Sequence, residues 1–417
     1  MYSYFTLSNG LRVVCQTVSA KVDYFGVAIN AGSRDEAPGR FGLAHFVEHT
    51  IFKGTLRRHA AHIIKRMEAV GGELNAYTTK EETVVYSVFP HGNLARAAEL
   101  VADLVVNSQF PAAELARERE VVRDEIDSYL DVPSEAVFDD FEDIVFAGSQ
   151  LGHNILGESA NLDAFTPEVC RAYIASTYTA SRMLAFYRGG MGAERLLGVL
   201  ERCFAALPAE GTAPERVAPP VVAPASHIKR IDSHQAHCVM GVRVPSMFSP
   251  ERYPLGLITN ILGGPGMNSR LNVALRERRG LVYSVDAGLT GWTDCGLFTV
   301  YFGCDPEDAP RCADLVRREL LRMSTEPLTA RQLQAARQQY LGQLVVASDN
   351  HDQTALNAAR ATLFYGRVLP DAEFRARLVH YPRRTGPRRP PPSPRPPHHP
   401  HHVLTPMATN SITPKEL

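Results

Sequence analysis

The sequence predicts an α+β chain built from two structurally related α/β domains, on three observations. At 417 residues the chain is too long for one ordinary core, so two or three domains are expected. Strand-like and helix-like stretches alternate, and their order in residues 227–380 repeats that in residues 1–206. Residues 207–226 between them are rich in Pro, Ala and Val, the composition of a linker. Domains at 1–206 and 227–380 are therefore expected, with residues 381–417 as a tail.

Composition narrows the function classes. Hydrophobic content of 45% and charged content of 21% are those of a soluble globular protein. The formal net charge of -1 suggests neither nucleic acid nor an anionic membrane surface as a partner. No 18-residue apolar run is present, and the first ten residues open a hairpin rather than a secretory or transit segment. The seven cysteines are scattered without a C-x-x-C pair and read as reduced thiols, so a cytoplasmic location is expected.

In the first half, Asn9-Gly10 suits a tight turn between short strands, and residues 24–30 read as a further strand. Residues 31–40, rich in Gly, Asp and Pro, form a loop into the stretch 41–54, which is expected to be helical. That stretch is apolar on nearly every side through Phe41, Leu43, Ala44, Phe46, Val47, Ile51 and Phe52, so it should be buried. It nevertheless carries His45, Glu48 and His49 at i, i+3 and i+4, on one face. Two imidazoles one turn apart can grip a zinc ion, leaving the carboxylate free to act on a water. Two core histidines with a hydrogen-bonded Glu would give the same five residues, and the stretch alone does not choose.

Next come a helix at 59–70, strands at 73–79 and 83–89, and helices at 94–107 and 112–130. His59 and His62 are expected on the solvated side of the first of these helices. The inward stripe of the last runs Leu115, Glu118, Val122, Glu125, Ile126, Tyr129, placing two carboxylates on a face that should be apolar. Either that face is a solvated edge, or a carboxylate points inward to meet a cation. Helices at 133–146, 167–176 and 193–206 and a strand at 183–187 complete the half.

With both helices in view, the chain resembles the pitrilysin, or insulinase-like, zinc metallopeptidases. It looks closest to their two-domain branch, which includes the mitochondrial processing peptidase. There the two His of the inverted H-x-x-E-H motif are joined by a Glu 76 positions beyond the second, which here is Glu125. Ala31-Gly32-Ser33-Arg34-Asp35-Glu36, Phe52-Lys53-Gly54-Thr55, Gly72-Glu73-Leu74-Asn75-Ala76-Tyr77-Thr78 and Ile155-Leu156-Gly157 also match. The resemblance implies two mainly antiparallel sheets flanked by helices, facing each other across a cavity. It further implies one zinc ion per chain on His45, His49 and Glu125, with Glu48 as general base and Glu118 as an additional carboxylate. The strand at Asn75 and Ala76 would pair with the backbone of a peptide substrate.

The second half repeats the element order without the motif, since residues 255–262 are simply apolar. Its expected elements are a strand at 238–244, helices at 252–262 and 269–278, strands at 282–289 and 296–303, and three helices within 306–365. Arg276 and Tyr283 are by themselves ordinary helix-end and strand residues. The resemblance implies that they face the zinc site, where Arg holds a substrate carbonyl or carboxylate and Tyr donates to an oxyanion. Glycines 263, 264 and 266 lack the Lys-Ser/Thr of a nucleotide loop.

Residues 382–402 are dominated by Pro, Arg and His and carry no periodicity, so disorder is expected there in place of a closing helix and strand. A shifted reading frame would produce such an ending, and an intact homologous ending in another frame of the coding DNA would test this. The function expected is a zinc-dependent endopeptidase acting on extended peptides or small unfolded polypeptides, as a homodimer or a heterodimer with a related subunit. A non-catalytic or partner-dependent subunit of a processing-peptidase-like complex is the competing expectation.

Overall fold

The computed structural model describes residues 2–379 and 405–408. Strands β1 (Tyr2–Thr6), β2 (Arg12–Thr17) and β3 (Val22–Ile29) are followed by helices α1 (Leu43–Thr50) and α2 (Ala60–Glu68). Strands β4 (Glu73–Thr78) and β5 (Thr83–Pro90) precede α3 (Leu94–Asn107), α4 (Ala112–Leu130), α5 (Pro133–Val145) and α6 (Pro167–Thr177). Strand β6 (Met183–Gly189) and α7 (Ala193–Cys203) end the first half. The second half contains β7 (Ala236–Val244), α8 (Arg252–Gly263), β8 (Val282–Gly291), β9 (Gly296–Cys304), α9 (Ala309–Thr325), α10 (Ala330–Ala347), α11 (His351–Tyr365) and α12 (Asp371–Val379). Strand β10 (Thr405–Ala408) is the last described element.

These elements form an α+β protein of two compact units. The first unit holds residues 1–129, 153–216 and 348–369, and its six-stranded sheet has the order β1-β2-β6-β3-β5-β4. All pairings are antiparallel except β2 with β6. Alternation along β3 sends Phe25, Val27 and Ile29 into a core shared with α1 and α3, and Ala28 to the opposite face. That opposite face, with Val14, Val84, Leu184 and Phe186, is covered by Ala355, Leu356, Ala359 and Leu363 of α11. The small side chains bring the helix close to the strands, and the Arg12 guanidinium donates to the Thr362 and Leu363 carbonyls at its end, both at 3.4 Å.

The second unit holds residues 130–152, 217–347 and the described residues beyond 369, around the sheet β10-β7-β9-β8. One face, with Cys238, Met240, Val242, Phe298, Val300 and Phe302, packs on Leu255 and Leu262 of α8 and Cys312 and Val316 of α9. The other, with Val239, Leu297 and Tyr301, is covered by Val137, Phe141 and Val145 of α5. Phe146 meets Trp292 edge to face at 5.1 Å beside them.

The compact units therefore depart from the contiguous domains expected. The physical reason is that each sheet has two apolar faces, and in each unit one is covered by a helix from the other half of the chain. The expected linker is also divided. Residues 207–216 are fixed to the first unit, where Ala180 N and Ser181 N donate to the Pro208 and Ala209 carbonyls at 2.8 and 2.9 Å.

Smaller departures are local. The motif stretch is helical only over Leu43–Thr50 and then tightens into a 3-10 turn, Ile51–Lys53. The helix expected at 269–278 is mostly a π-helical turn, Asn272–Glu277. Helix α12 was not anticipated. The stretch expected to be disordered, 382–402, lies outside the described residues. Farther along, β10 pairs in parallel with β7, Thr405 opposite Cys238. Among the described residues no helix is long and apolar enough to cross a membrane.

Candidate active site

Helix α1 begins at Gly42, whose φ of +97° is a left-handed conformation that glycine adopts without strain. A Cβ there would also lie 2.6 Å from the Leu156 carbonyl, so the Ile155-Leu156-Gly157 stretch is packed against the start of the motif. Leu43, Phe46 and Val47 sink into the core, which turns His45, Glu48 and His49 the other way. Helix α4 is fixed by buried Leu115, Val122 and Ile126, and the same stripe carries Glu118 and Glu125 toward α1.

The two imidazole rings lie with centroids 4.5 Å apart, tilted by 59°. Glu125 Oε1 is 3.8 Å from His45 Nε2, and Oε2 is 3.3 Å from His49 Nε2. One ligand atom from each of His45, His49 and Glu125 lies within 4.8 Å of the other two. Of the two readings open for α4, the structure has Glu125 beside nitrogen donors. Glu118 is buried and hydrogen-bonds through Oε1 with His49 Nδ1 at 3.1 Å, while Oε2 pairs with Lys53 Nζ at 2.7 Å.

Electrostatics suit a cation here. Burial, aided by the charge of His49, drives the His45 imidazole down to about 3, so it stays neutral with a lone pair to give. Burial alone would lower His49, but the Glu118 hydrogen bond and the charges of Glu125, Glu48 and Glu118 lift it above its ordinary value. Burial opposes ionisation of Glu118, yet the hydrogen bonds from His49 and Lys53 outweigh it and hold the carboxyl below its usual range. Burial raises the Glu48 carboxyl, against the pull of the Thr78 hydroxyl and His49, and the Glu125 charge adds to the rise.

Glu125 Oε2 is shielded from solvent and, although 3.3 Å from His49 Nε2, forms no hydrogen bond with it or with any other described group. An unsatisfied buried polar atom costs about 1–3 kcal/mol, which a bound cation offsets. Two neutral-capable imidazoles and one carboxylate form a donor set that zinc accepts, with a fourth position left open. The residues present therefore fit zinc.

Asn75 and Ala76 lie on β4, the edge strand of the first sheet, and α1 packs against this strand. Among the described residues β4 has one neighbour, β5, with Asn75 opposite Tyr86 and Ala76 opposite Val85. Arg276 and Tyr283 belong to the second unit. Arg276 is exposed at the end of the π-helical turn, and Tyr283 is 55% exposed and donates its hydroxyl to Asp305 Oδ1 at 2.8 Å. His59 and His62 are both exposed. Lys53 lies in the matching Phe52-Lys53-Gly54-Thr55 stretch, but the sequence assigned it no role, although its spacing of four from His49 was the available signal. Thr78, at the end of the edge strand, gave none.

Comparison with known proteins places these features in company. Residues 12–159 match the family described as Insulinase (Peptidase family M16), and residues 164–340 match the Peptidase M16 inactive domain. The chain is 31% identical over 385 residues to an uncharacterized zinc protease of Streptomyces coelicolor, spanning 90% of this chain and 83% of that one. It is 31% identical over 388 residues to a probable mitochondrial-processing peptidase subunit beta of Arabidopsis thaliana, spanning 89% and 72%. A protease from Helicobacter pylori shares the fold with a TM-score of 0.80 at 18% identity, over 92% of this chain and 94% of that one. A peptidase M16 inactive domain from Pseudomonas fluorescens does so at 0.78 and 19%, over 91% and 90%.

Proposed function

From the premise that the chain belongs to the insulinase-type peptidases of family M16, we propose that it is a zinc-dependent endopeptidase hydrolysing extended peptides or small unfolded polypeptides. The observation that carries this reading is the convergence of His45, His49 and Glu125 with Glu48 on the same helix face. Those three side chains would hold one zinc ion per chain. Zinc supplies Lewis acidity, polarising a carbonyl and lowering the pKa of a water.

The remaining roles belong to the chain itself. Glu48, its carboxyl pKa raised by burial, takes a proton from the attacking water and returns it to the leaving amine. Glu118 fixes the His49 ring through Nδ1, so that Nε2 faces Glu125. The outer edge of β4, unpaired among the described residues, aligns an extended substrate by backbone pairing at Asn75 and Ala76. Arg276 and Tyr283 are assigned to holding a substrate carbonyl or carboxylate and to stabilising the developing oxyanion. Glu48→Gln tests the assignment: zinc content should remain at one per chain while cleavage of a quenched peptide disappears, and retained turnover would refute the general base.

One observation favours a second reading, a catalytic subunit that needs a partner. The second unit's sheet has four described strands against six in the first. A homodimer or a heterodimer with a related subunit would serve. Specific activity that climbs with protein concentration, alongside a shift in size-exclusion volume, would support that reading over a self-sufficient monomer.

A further inference from the structure

Helix α1 has eight residues, barely two turns, and its capping position is Gly42, which has no side chain to satisfy the first backbone N–H groups. Those groups are satisfied from elsewhere. Glu36, six residues upstream and buried, accepts from Gly42 N through Oε2 at 2.9 Å and from Ala44 N through Oε1 at 2.6 Å. A carboxylate at this end also complements the helix dipole. Ala44 immediately precedes His45, so the bond that ties down the helix start sits one residue from the first zinc-ligand candidate.

Burying this carboxylate is costly unless it is fully partnered. Its third partner is His153, whose Nε2 lies 3.3 Å from Glu36 Oε2 and 3.0 Å from the Ser33 carbonyl. The His153 ring stacks on Phe41 at 4.0 Å, and its carbonyl accepts from Lys80 Nζ. The loop that presents Glu36 is held on its other side as well. Arg216 grips the adjacent Asp35 with Nε to Oδ1 at 3.1 Å and Nη2 to Oδ2 at 2.8 Å.

We infer that Glu36, backed by His153, is a positioning residue for the zinc motif, a bidentate clamp that fixes the rotation and height of α1. Each residue of an α-helix turns it by about 100°, so a helix this short keeps its face aimed only if its start is fixed. A different backbone hydrogen-bonding pattern at Gly42 to Ala44 swings His45, Glu48 and His49 together relative to Glu125. The inference deepens the zinc-peptidase reading and rests on it.

The test compares the full wild-type chain with Glu36→Gln, His153→Gln and a stability control, Val14→Ala, which trims the sheet face remote from α1. Zinc stoichiometry, zinc affinity by chelator competition, kcat and KM on a quenched peptide, and Tm are measured for each. Gln keeps the shape of Glu36 but loses the charge and one of the two acceptors. Glu36→Gln should weaken zinc about tenfold and lower kcat about tenfold, with KM within about twofold. His153→Gln should move both in the same direction by about threefold. Val14→Ala should lower Tm and leave affinity and kcat alone. If Glu36→Gln merely loses Tm as the control does, with wild-type zinc affinity and kcat, the inference is overturned. Should Glu36→Gln fail to fold, wild-type affinity and kcat in His153→Gln overturn it instead. A wild-type chain that neither binds zinc nor cleaves overturns the peptidase reading and this one with it.

Discussion

The two units solve the same packing problem and then diverge. Each wraps a mainly antiparallel sheet in helices on both faces, and each borrows one of those helices from the other half of the chain: α11 for the first sheet, α5 for the second. The first unit then gathers two imidazoles and the carboxylates of Glu48, Glu118 and Glu125 at the polar face of α1, whereas the corresponding helix of the second, α8, buries Tyr253, Leu255, Leu257, Thr259 and Leu262 and no imidazole or carboxylate. The difference teaches that this architecture does not require imidazoles or carboxylates on its sheet-packed helix. What the first unit adds is a short helix whose one polar face is matched by polar residues on α4 and β4.

The largest expected effect breaks or keeps that contrast outright. Glu48→Gln should lower kcat on a quenched peptide by about 10²–10⁴-fold with zinc still bound. Activity that survives would mean that chemistry resides outside α1. Next are the borrowed helices. Phe141→Ala should destabilise the second unit by about 3–5 kcal/mol, and Leu363→Ala the first by about 2–5 kcal/mol. Hydrogen exchange resolves which sheet loses protection: β7 and β9 for the former, β3 and β6 for the latter, and the reverse outcome would refute the exchange.

Zinc removal should act on one unit alone. At free zinc about 100 times its Kd, binding adds about 2.7 kcal/mol, which a chelator abolishes. Protection should fall in α1 and α4 and stay unchanged in β7 and β9; equal loss in both units would erase the asymmetry. The smallest effect sharpens the outer layer of the site. Lys53→Met leaves Glu118 without its cation, so zinc affinity should fall about tenfold by chelator competition. Unchanged affinity would show that the Lys53 pair serves only the surface.

Much of this was legible in the residues. The inward stripe of α4 flagged Glu118 and Glu125 because two carboxylates broke an apolar period, and α1 flagged its histidines in the same way, but periodicity left a structural reading open for both and only the family resemblance gave them roles. Strands β4, β5, β7 and β9 fell within a few residues of where the sequence placed them, β5 on its β-branched and aromatic run. The exchange of α5 and α11 was not legible. Periodicity tells which face of a helix is buried but not against what, and Val137, Phe141 and Val145 would have suited either sheet. The Glu36 clamp was hidden for a related reason, since its partners are backbone N–H groups that every sequence offers. The π-helical turn before β8 bonds i to i+5, and no side-chain pattern in Asn272–Glu277 declares that.

The borrowed helix α11 also dictates the order in which the chain is able to fold. The last strand of the first sheet ends at Gly189, yet the helix that covers its outer face begins at His351. At a synthesis rate of about 5–20 residues per second, that sheet waits on the order of 10–30 s for its cover. Throughout the wait Val14, Val84, Leu184 and Phe186 face water on a nearly finished sheet, the kind of surface that chaperones recognise and that aggregates when they do not arrive. The first half of this chain leaves the ribosome with its cluster of imidazoles and carboxylates complete and its fold still unfinished.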